Sequence, residues 1–93
     1  MHEEGQRLDK WLYYCRFVKS RSLAQELVSK GRVRINRERT QKPHQTIRPG
    51  DVLTLAIRDE VRVIRVLAPG TRRGPAKEAA LLYEWVTKPP EAC

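Results

Sequence analysis

The feature that most narrows what this chain can fold into is a change of period at Gly31. Before it, Leu23, Ala24, Leu27 and Val28 fall on one stripe of an α-helix. After it, Arg32, Val33, Arg34 and Ile35 alternate, as in a strand with apolar residues inward and arginines outward. Gly31 itself stands where a left-handed helix C-cap is usual. Helix and strand thus follow one another directly and must share a core. With 93 residues there is room for one such core and no walled catalytic cleft, so the chain reads as a single domain over 1–93.

The rest of the chain completes the core. Leu8, Trp11, Leu12 and Cys15 recur at helical spacing, predicting an amphipathic helix from Gln6 to Phe17 with Trp11 and Cys15 inward. Ser20 or Ser22 caps the second helix, and Ser22 with Gln25 makes a capping-box pattern. The short Val18 to Ser20 connection forces the two helices to cross steeply. "RPGD" at Arg48 to Asp51 is a turn that launches the alternating "VLTLAI". In "VRVIRV" Val61 and Val63 lie on one face and Ile64 and Val66 on the other, which points to a bulge or an edge strand. After the loop at Pro69 to Pro75, "AKEAALLYEWV" has helical spacing at Ala76, Ala79, Ala80, Tyr83 and Val86, with Pro89 and Pro90 as its stop. The expected fold is α+β: two packed N-terminal helices, a small antiparallel sheet and a short C-terminal helix.

Charge is unevenly placed. The net charge is +8. From Arg16 to Arg48 ten bases face only Glu26 and Glu38, whereas the segments on either side nearly balance at −1 and +1. Such a local excess attracts a polyanion. A helix N-terminus exposes unpaired N–H groups and a partial positive charge, so Lys19, Ser20, Arg21 and Ser22 are candidate phosphate contacts at the start of helix two. Arg16 lies about one turn before that junction. Lys30, Arg32 and Arg34 continue along the far end of the helix and the strand, and Lys42 follows. Arg7 and Lys10 are candidates too, beside a surface ion pair with Asp9. Lys30 serves equally well as a cation at a helix C-terminus. Arg62 and Arg65 read as solvated strand positions, and Arg72 and Arg73 as a flexible second foot or plain loop.

Other chemistries find little support. His2 and His44 are far apart, no Ser/His/Asp or Cys/His set is arranged for nucleophilic catalysis, and no P-loop occurs. The expectation is a non-enzyme without metal or cofactor. Two cysteines, Cys15 and Cys93, in no ligand spacing suit a reducing cytoplasm, with Cys15 as a core thiol and Cys93 incidental. No apolar run reaches the ~18 residues of a membrane span, and the acidic start is unlike a secretory leader. All aromatic residues fall on expected helices or their ends, which favours recognition of shape and phosphate over base reading. Tyr14, opposite Trp11, is at most a rim or stacking residue.

"RLDKWL" at Arg7 to Leu12, "KSRSLAQELVSKGRVRIN" at Lys19 to Asn36, "KP" at Lys42 and Pro43, and "RPGDVLTL" at Arg48 to Leu55 resemble, as one ordered pattern, the ribosomal protein S4-type RNA-binding domain, the αL motif. That core spans about 6–67, with a C-terminal extension over about 68–93. "RLDKWLYYCRF" and the tail "GPAKEAALLYE" are similar to the bacterial heat-shock protein fifteen family. The resemblance implies an RNA-binding module of helix, helix and small sheet that docks on structured RNA, with ribosomal RNA as the expected partner; a cytoplasmic monomer is expected. For the heat-shock family it further implies binding to free large ribosomal subunits carrying a nascent chain, as part of recycling stalled subunits; the transfer RNA of that chain is a candidate further partner, and no membrane partner is expected. In many αL domains Gly follows the Asn at the strand end; here Arg37 follows Asn36, so a differently shaped hairpin turn is expected. The rivals are a helix-turn-helix DNA-binding protein, with Arg21, Ser22 and Gln25 as base readers, and a structural or assembly protein of the ribosome.

Overall fold

A computed structural model describes residues 5–57 and 59–87. Two helices, α1 (Leu8–Tyr14) and α2 (Arg21–Ser29), pack on each other and on one face of a sheet. The expected first helix is shorter than its periodicity suggests, because Gln6 and Arg7 form a two-residue strand, β1. It pairs antiparallel with Thr46–Ile47. The N–H groups of Leu8 and Asp9, orphaned at the start of α1, donate to the carbonyls of Gln45 and Pro43. Backbone from the 43–45 segment thus does the work of a side-chain cap.

Both helices end alike. In α2 the Gly31 N–H donates to Val28 O and the Arg32 N–H to Leu27 O, with Gly31 at φ +76°, the paired bonds of a Schellman motif. In α1 the Arg16 N–H donates to Tyr13 O and the Phe17 N–H to Leu12 O, with Arg16 at φ +67°. An arginine therefore occupies a left-handed position that glycine usually fills. Ser20, not Ser22, is the N-cap of α2: its Oγ accepts from the Leu23 N–H at 3.1 Å.

The strands are β2 (Val33–Ile35), β3 (Glu38–Thr40), β4 (Thr46–Ile47), β5 (Val52–Ile57), β6 (Glu60–Val66) and β7 (Tyr83–Thr87). All but β4 join a five-stranded antiparallel sheet in the order β3-β2-β5-β6-β7. Register carries the core across it: Val33 lies opposite Leu55 and Leu53 opposite Ile64. These meet Leu8, Trp11, Leu12, Ala24 and Val28 of the helices, all fully buried. The Trp11 indole N–H finds its partner in the Ala68 carbonyl at 2.9 Å, tying α1 to the far end of β6. Leu23, expected in the buried stripe, is 45% exposed, because Ala24 and Val28 form the centre of the buried face and Leu23 lies beyond its edge.

The turns largely obey their residues. Gly50, at φ +99°, is the third residue of the Arg48–Asp51 turn, closed by the Asp51 N–H on Arg48 O. The irregularity expected in β6 is a register shift at Val63/Ile64 against β7. The β2–β3 hairpin corrects an expectation: Asn36 (φ +51°) and Arg37 (φ +78°) both adopt the left-handed conformation that a two-residue turn with two positive φ angles requires. Arg37 takes a glycine's backbone shape instead of reshaping the turn. Asn36 is pinned there, its amide donating to Asp51 and accepting from the Val52 N–H.

The C-terminal segment differs most from its sequence pattern. α3 covers only Ala76–Ala79, and Tyr83–Thr87 is a strand on the edge of β6. Leu81, beyond α3, is exposed. Tyr83 pairs with Val66 and Trp85 with Ile64, and the two rings join Phe17 in an aromatic cluster with centroids 4.8 to 6.4 Å apart. Pairing the otherwise open edge of β6 and burying two large rings outweighs the local helix preference. Met1–Glu4, His2 included, and the expected stop at Pro89 and Pro90 lie outside the described residues, as does Cys93. No helix among the described residues is long and apolar enough to cross a membrane.

Candidate nucleic-acid interface

The junction of α1 and α2 is organised by Asp9. Its side chain is fully buried, not part of a surface pair as the sequence suggested. One oxygen accepts from Arg7 Nε at 3.1 Å and the Lys10 N–H at 2.8 Å; the other accepts from Arg7 Nη2 at 2.9 Å and Gln25 Nε2 at 3.0 Å. Arg21 Nη2 approaches to 3.8 Å. Burial on its own would raise the pKa of this carboxyl, but the donors from Gln25, Arg7 and Lys10, with the charge of Arg7, outweigh it and hold the pKa below the ordinary value. A buried anion therefore gathers two guanidinium groups, from β1 and from the first turn of α2, while each stays nearly half exposed. The free faces of those fork-shaped groups suit phosphate oxygens.

The remaining cations do not all meet there. Arg21 and Gln25 share the side of α2 that faces Asp9. Lys19, Lys30 and Arg32 line another side, around an open groove that also includes Leu23 and Leu27. Lys30 Nζ pairs with Glu26 at 2.9 Å and caps α2, while Lys19 and Arg32 make no ion pair among the described residues. Between the two sides lies the start of α2, with exposed Ser22 and the capping Ser20. Arg34 stands apart on the outer face of the sheet, opposite Arg39 and Thr54. Lys42 is exposed beyond β3, in an open cleft with Arg39 and Asn36. Lys10 is half-buried at α1.

Arg16 at the end of α1 and two arginines of the C-terminal extension hold that extension in place. Arg16 Nη1 donates to the Gly74 carbonyl at 2.9 Å. Arg73 lies 4.9 Å from the centre of the Tyr13 ring and donates to the Val18 carbonyl. Arg72 pairs with Glu78. The loop around Arg72 and Arg73 is thus strapped to the helices. Gly70 lies against Tyr14, where an added Cβ would stand 2.9 Å from the ring edge, so that ring packs against the loop. Arg62 shares the core-side register of Leu55 and reaches out to Glu60, and Arg65 pairs with Glu84.

Asp9 is the site residue that sequence reasoning undervalued. The available signal was an acid in the first turn of a helix, between two bases and next to the helix junction.

Two helices crossing at a cation-lined junction and running into a small antiparallel sheet define an S4-type domain, and the model of that family, described as the S4 domain, matches residues 6–53. The extension beyond it is shared with a narrower group. The structure of a trimeric Heat Shock Protein 15 from Vibrio cholerae superposes with a TM-score of 0.84 at 37% identity, over 89% of this chain and 83% of that one. The chain belongs to the heat shock protein 15 family of S4-domain proteins. Heat shock protein 15 of Escherichia coli K12 is 45% identical over 78 residues, 84% of this chain. This chain spans 58% of that relative's length. The RQC P-site tRNA stabilizing factor of Bacillus subtilis is 35% identical over 79 residues, 83% of this chain and 87% of the relative.

Proposed function

We propose that this chain is an RNA-binding protein that docks on structured ribosomal RNA of the large subunit, using the α1–α2 junction as its grip. The observation that carries this is the Asp9 cluster. The buried carboxylate fixes two arginines at a helix start for its own pairing, and it leaves each nearly half exposed with an outward face that fits an anion. Arg7 and Arg21 bind phosphates on one side of α2, and Lys19 and Arg32 on the other. Ser20 and Ser22, with the open N–H groups of Arg21 and Ser22, bind between them. Lys10 and Lys30 extend the surface, Arg34 on the outer sheet face and Lys42 beyond β3 are separate contacts, and Arg16 holds the extension in place beside the junction.

Within that role, the chain acts in the cytoplasm on free large subunits that carry a nascent chain, during their recycling. Membership of the heat shock protein 15 family motivates this reading, and the name of the B. subtilis relative, a P-site tRNA stabilizing factor, makes transfer RNA the candidate second polyanion. The functional unit on RNA is one chain. Sedimentation equilibrium tests this, since the V. cholerae relative is described as trimeric. A helix-turn-helix DNA reader is disfavoured because Arg21 and Gln25 are turned toward Asp9. A structural or assembly role differs from recycling only in when the protein is bound. Crosslinking the protein to ribosomal RNA in lysate and mapping the linked nucleotides is the direct test. Crosslinks confined to large-subunit RNA and adjacent transfer RNA are expected; crosslinks spread without preference over all RNA would contradict the proposal.

A further inference from the structure

The cationic side of α2 carries more apolar surface than phosphate binding uses. Its groove, about 460 Å³, is lined by Leu23, Leu27, Ile57 and Phe17. Leu23 is 45% exposed, on a helix where Leu27 is half-buried and Val28 buried. Lys19 and Arg32 line the groove without an acidic partner among the described residues, and the acid in its lining, Glu26, is occupied by Lys30.

We infer that this groove receives one unpaired nucleobase of the bound RNA, with the flanking phosphates on Lys19 and Arg32. The inference rests on the RNA-binding role proposed above and deepens it. A nucleotide joins a flat, largely apolar face to a phosphate within one unit, which matches a groove lined by both apolar and cationic side chains. Unstacked bases are commonly held by apolar or aromatic side chains and by guanidinium planes, and Leu23, Leu27 and Arg32 supply the apolar surface and the guanidinium plane here. An acidic amphipathic peptide is the competing occupant. It would need acids spaced to reach Lys19 and Arg32 while clearing Glu26.

Three RNA duplexes test this: a fully paired duplex, the same duplex with one bulged adenosine, and that bulge with the base removed. The abasic bulge keeps the phosphates and the bend. Wild-type protein is expected to bind the adenosine bulge about tenfold more tightly than the abasic one, the lower range for one stacked base. Leu23→Asn changes no charge and alters an exposed side chain, so it should abolish that preference and leave the salt slope as it was. Equal, salt-dependent affinity for all three duplexes, or a preference that survives Leu23→Asn, would overturn the inference alone. Absence of salt-dependent binding to any duplex would overturn the RNA-binding role as well. Tight binding of an acidic helical peptide that Leu23→Asn abolishes, with no base preference, would assign the groove to protein.

Discussion

Replacing Asp9 by asparagine sets geometry against charge. The amide keeps the shape of the carboxylate and one accepting oxygen, so the bonds from Arg7 Nε and the Lys10 N–H survive. The second oxygen becomes an NH2 group facing Arg7 Nη2 and Gln25 Nε2. Gln25 can turn its own amide to accept, so one charge-assisted bond is lost outright, at about 1.5 to 3 kcal/mol. Removing one partner of a fully buried ion pair costs about 3 to 5 kcal/mol, but water can reach both arginines here, so the lower figure governs. We expect Asp9→Asn to lower unfolding free energy by about 2 kcal/mol in urea titrations at neutral pH. RNA binding should fall about tenfold at fixed salt, the equivalent of about one charge-assisted contact. Net charge alone predicts the reverse, because the variant gains a unit of positive charge. Tighter RNA binding with unchanged stability would refute the role given to Asp9.

Asp9 also sets an acid limit. Its carboxyl takes up a proton less readily in the folded chain than in the unfolded one, so its contribution is complete above the ordinary carboxylate pKa and drains away as pH falls below it. The stability difference between wild type and Asp9→Asn should therefore shrink below about pH 4, and a constant difference down to pH 2 would argue against a titrating Asp9. Arg37→Gly should raise stability by about 1 kcal/mol by relieving a left-handed arginine, read as a higher urea midpoint. Arg32→Ala should leave thermal unfolding nearly unchanged and reduce the salt slope of RNA binding by about 0.7 to 0.9, the share of one phosphate. Burial pushes the Cys15 thiol well up, so a thiol reagent at mildly alkaline pH should label that residue only after denaturation. Trp11→Ala should cost about 3 to 5 kcal/mol and unfold much of the population.

Much of the fold is legible because local pattern and tertiary structure agree. The change of period at Gly31, the turn at Pro49 and Gly50 and the alternation of Leu53, Leu55 and Ile57 each mark what forms. Agreement ends where distant chain decides. Gln6 and Arg7 are drawn out of helix by pairing with Ile47 and Thr46, which no local window contains. Tyr83 to Thr87 has helical spacing and, less conspicuously, the alternation of Tyr83 and Trp85; only the open edge of β6 and the Phe17 ring favour the second. Two aromatic residues consequently lie on a strand, although they face the core side, and base stacking on the open sheet face gains nothing from them. The cationic residues were legible by composition, but their division between two sides of α2 was not. It depends on the burial of Asp9, a property of packing rather than of spacing.

The most direct measurement of the RNA-docking role is sedimentation of the protein with ribosomal particles through a sucrose gradient, at low and at moderate salt, comparing wild type with a Lys19→Ala, Arg32→Ala double variant, which leaves the Asp9 cluster intact. Wild type should travel with free large subunits and be stripped from them as salt rises. With about six phosphates engaged, affinity should fall by roughly 300- to 2,000-fold between 50 and 200 mM. The double variant should remain near the top of the gradient while keeping its fold. Wild type that also stays at the top, and binds duplex DNA instead, would contradict the role proposed for this surface.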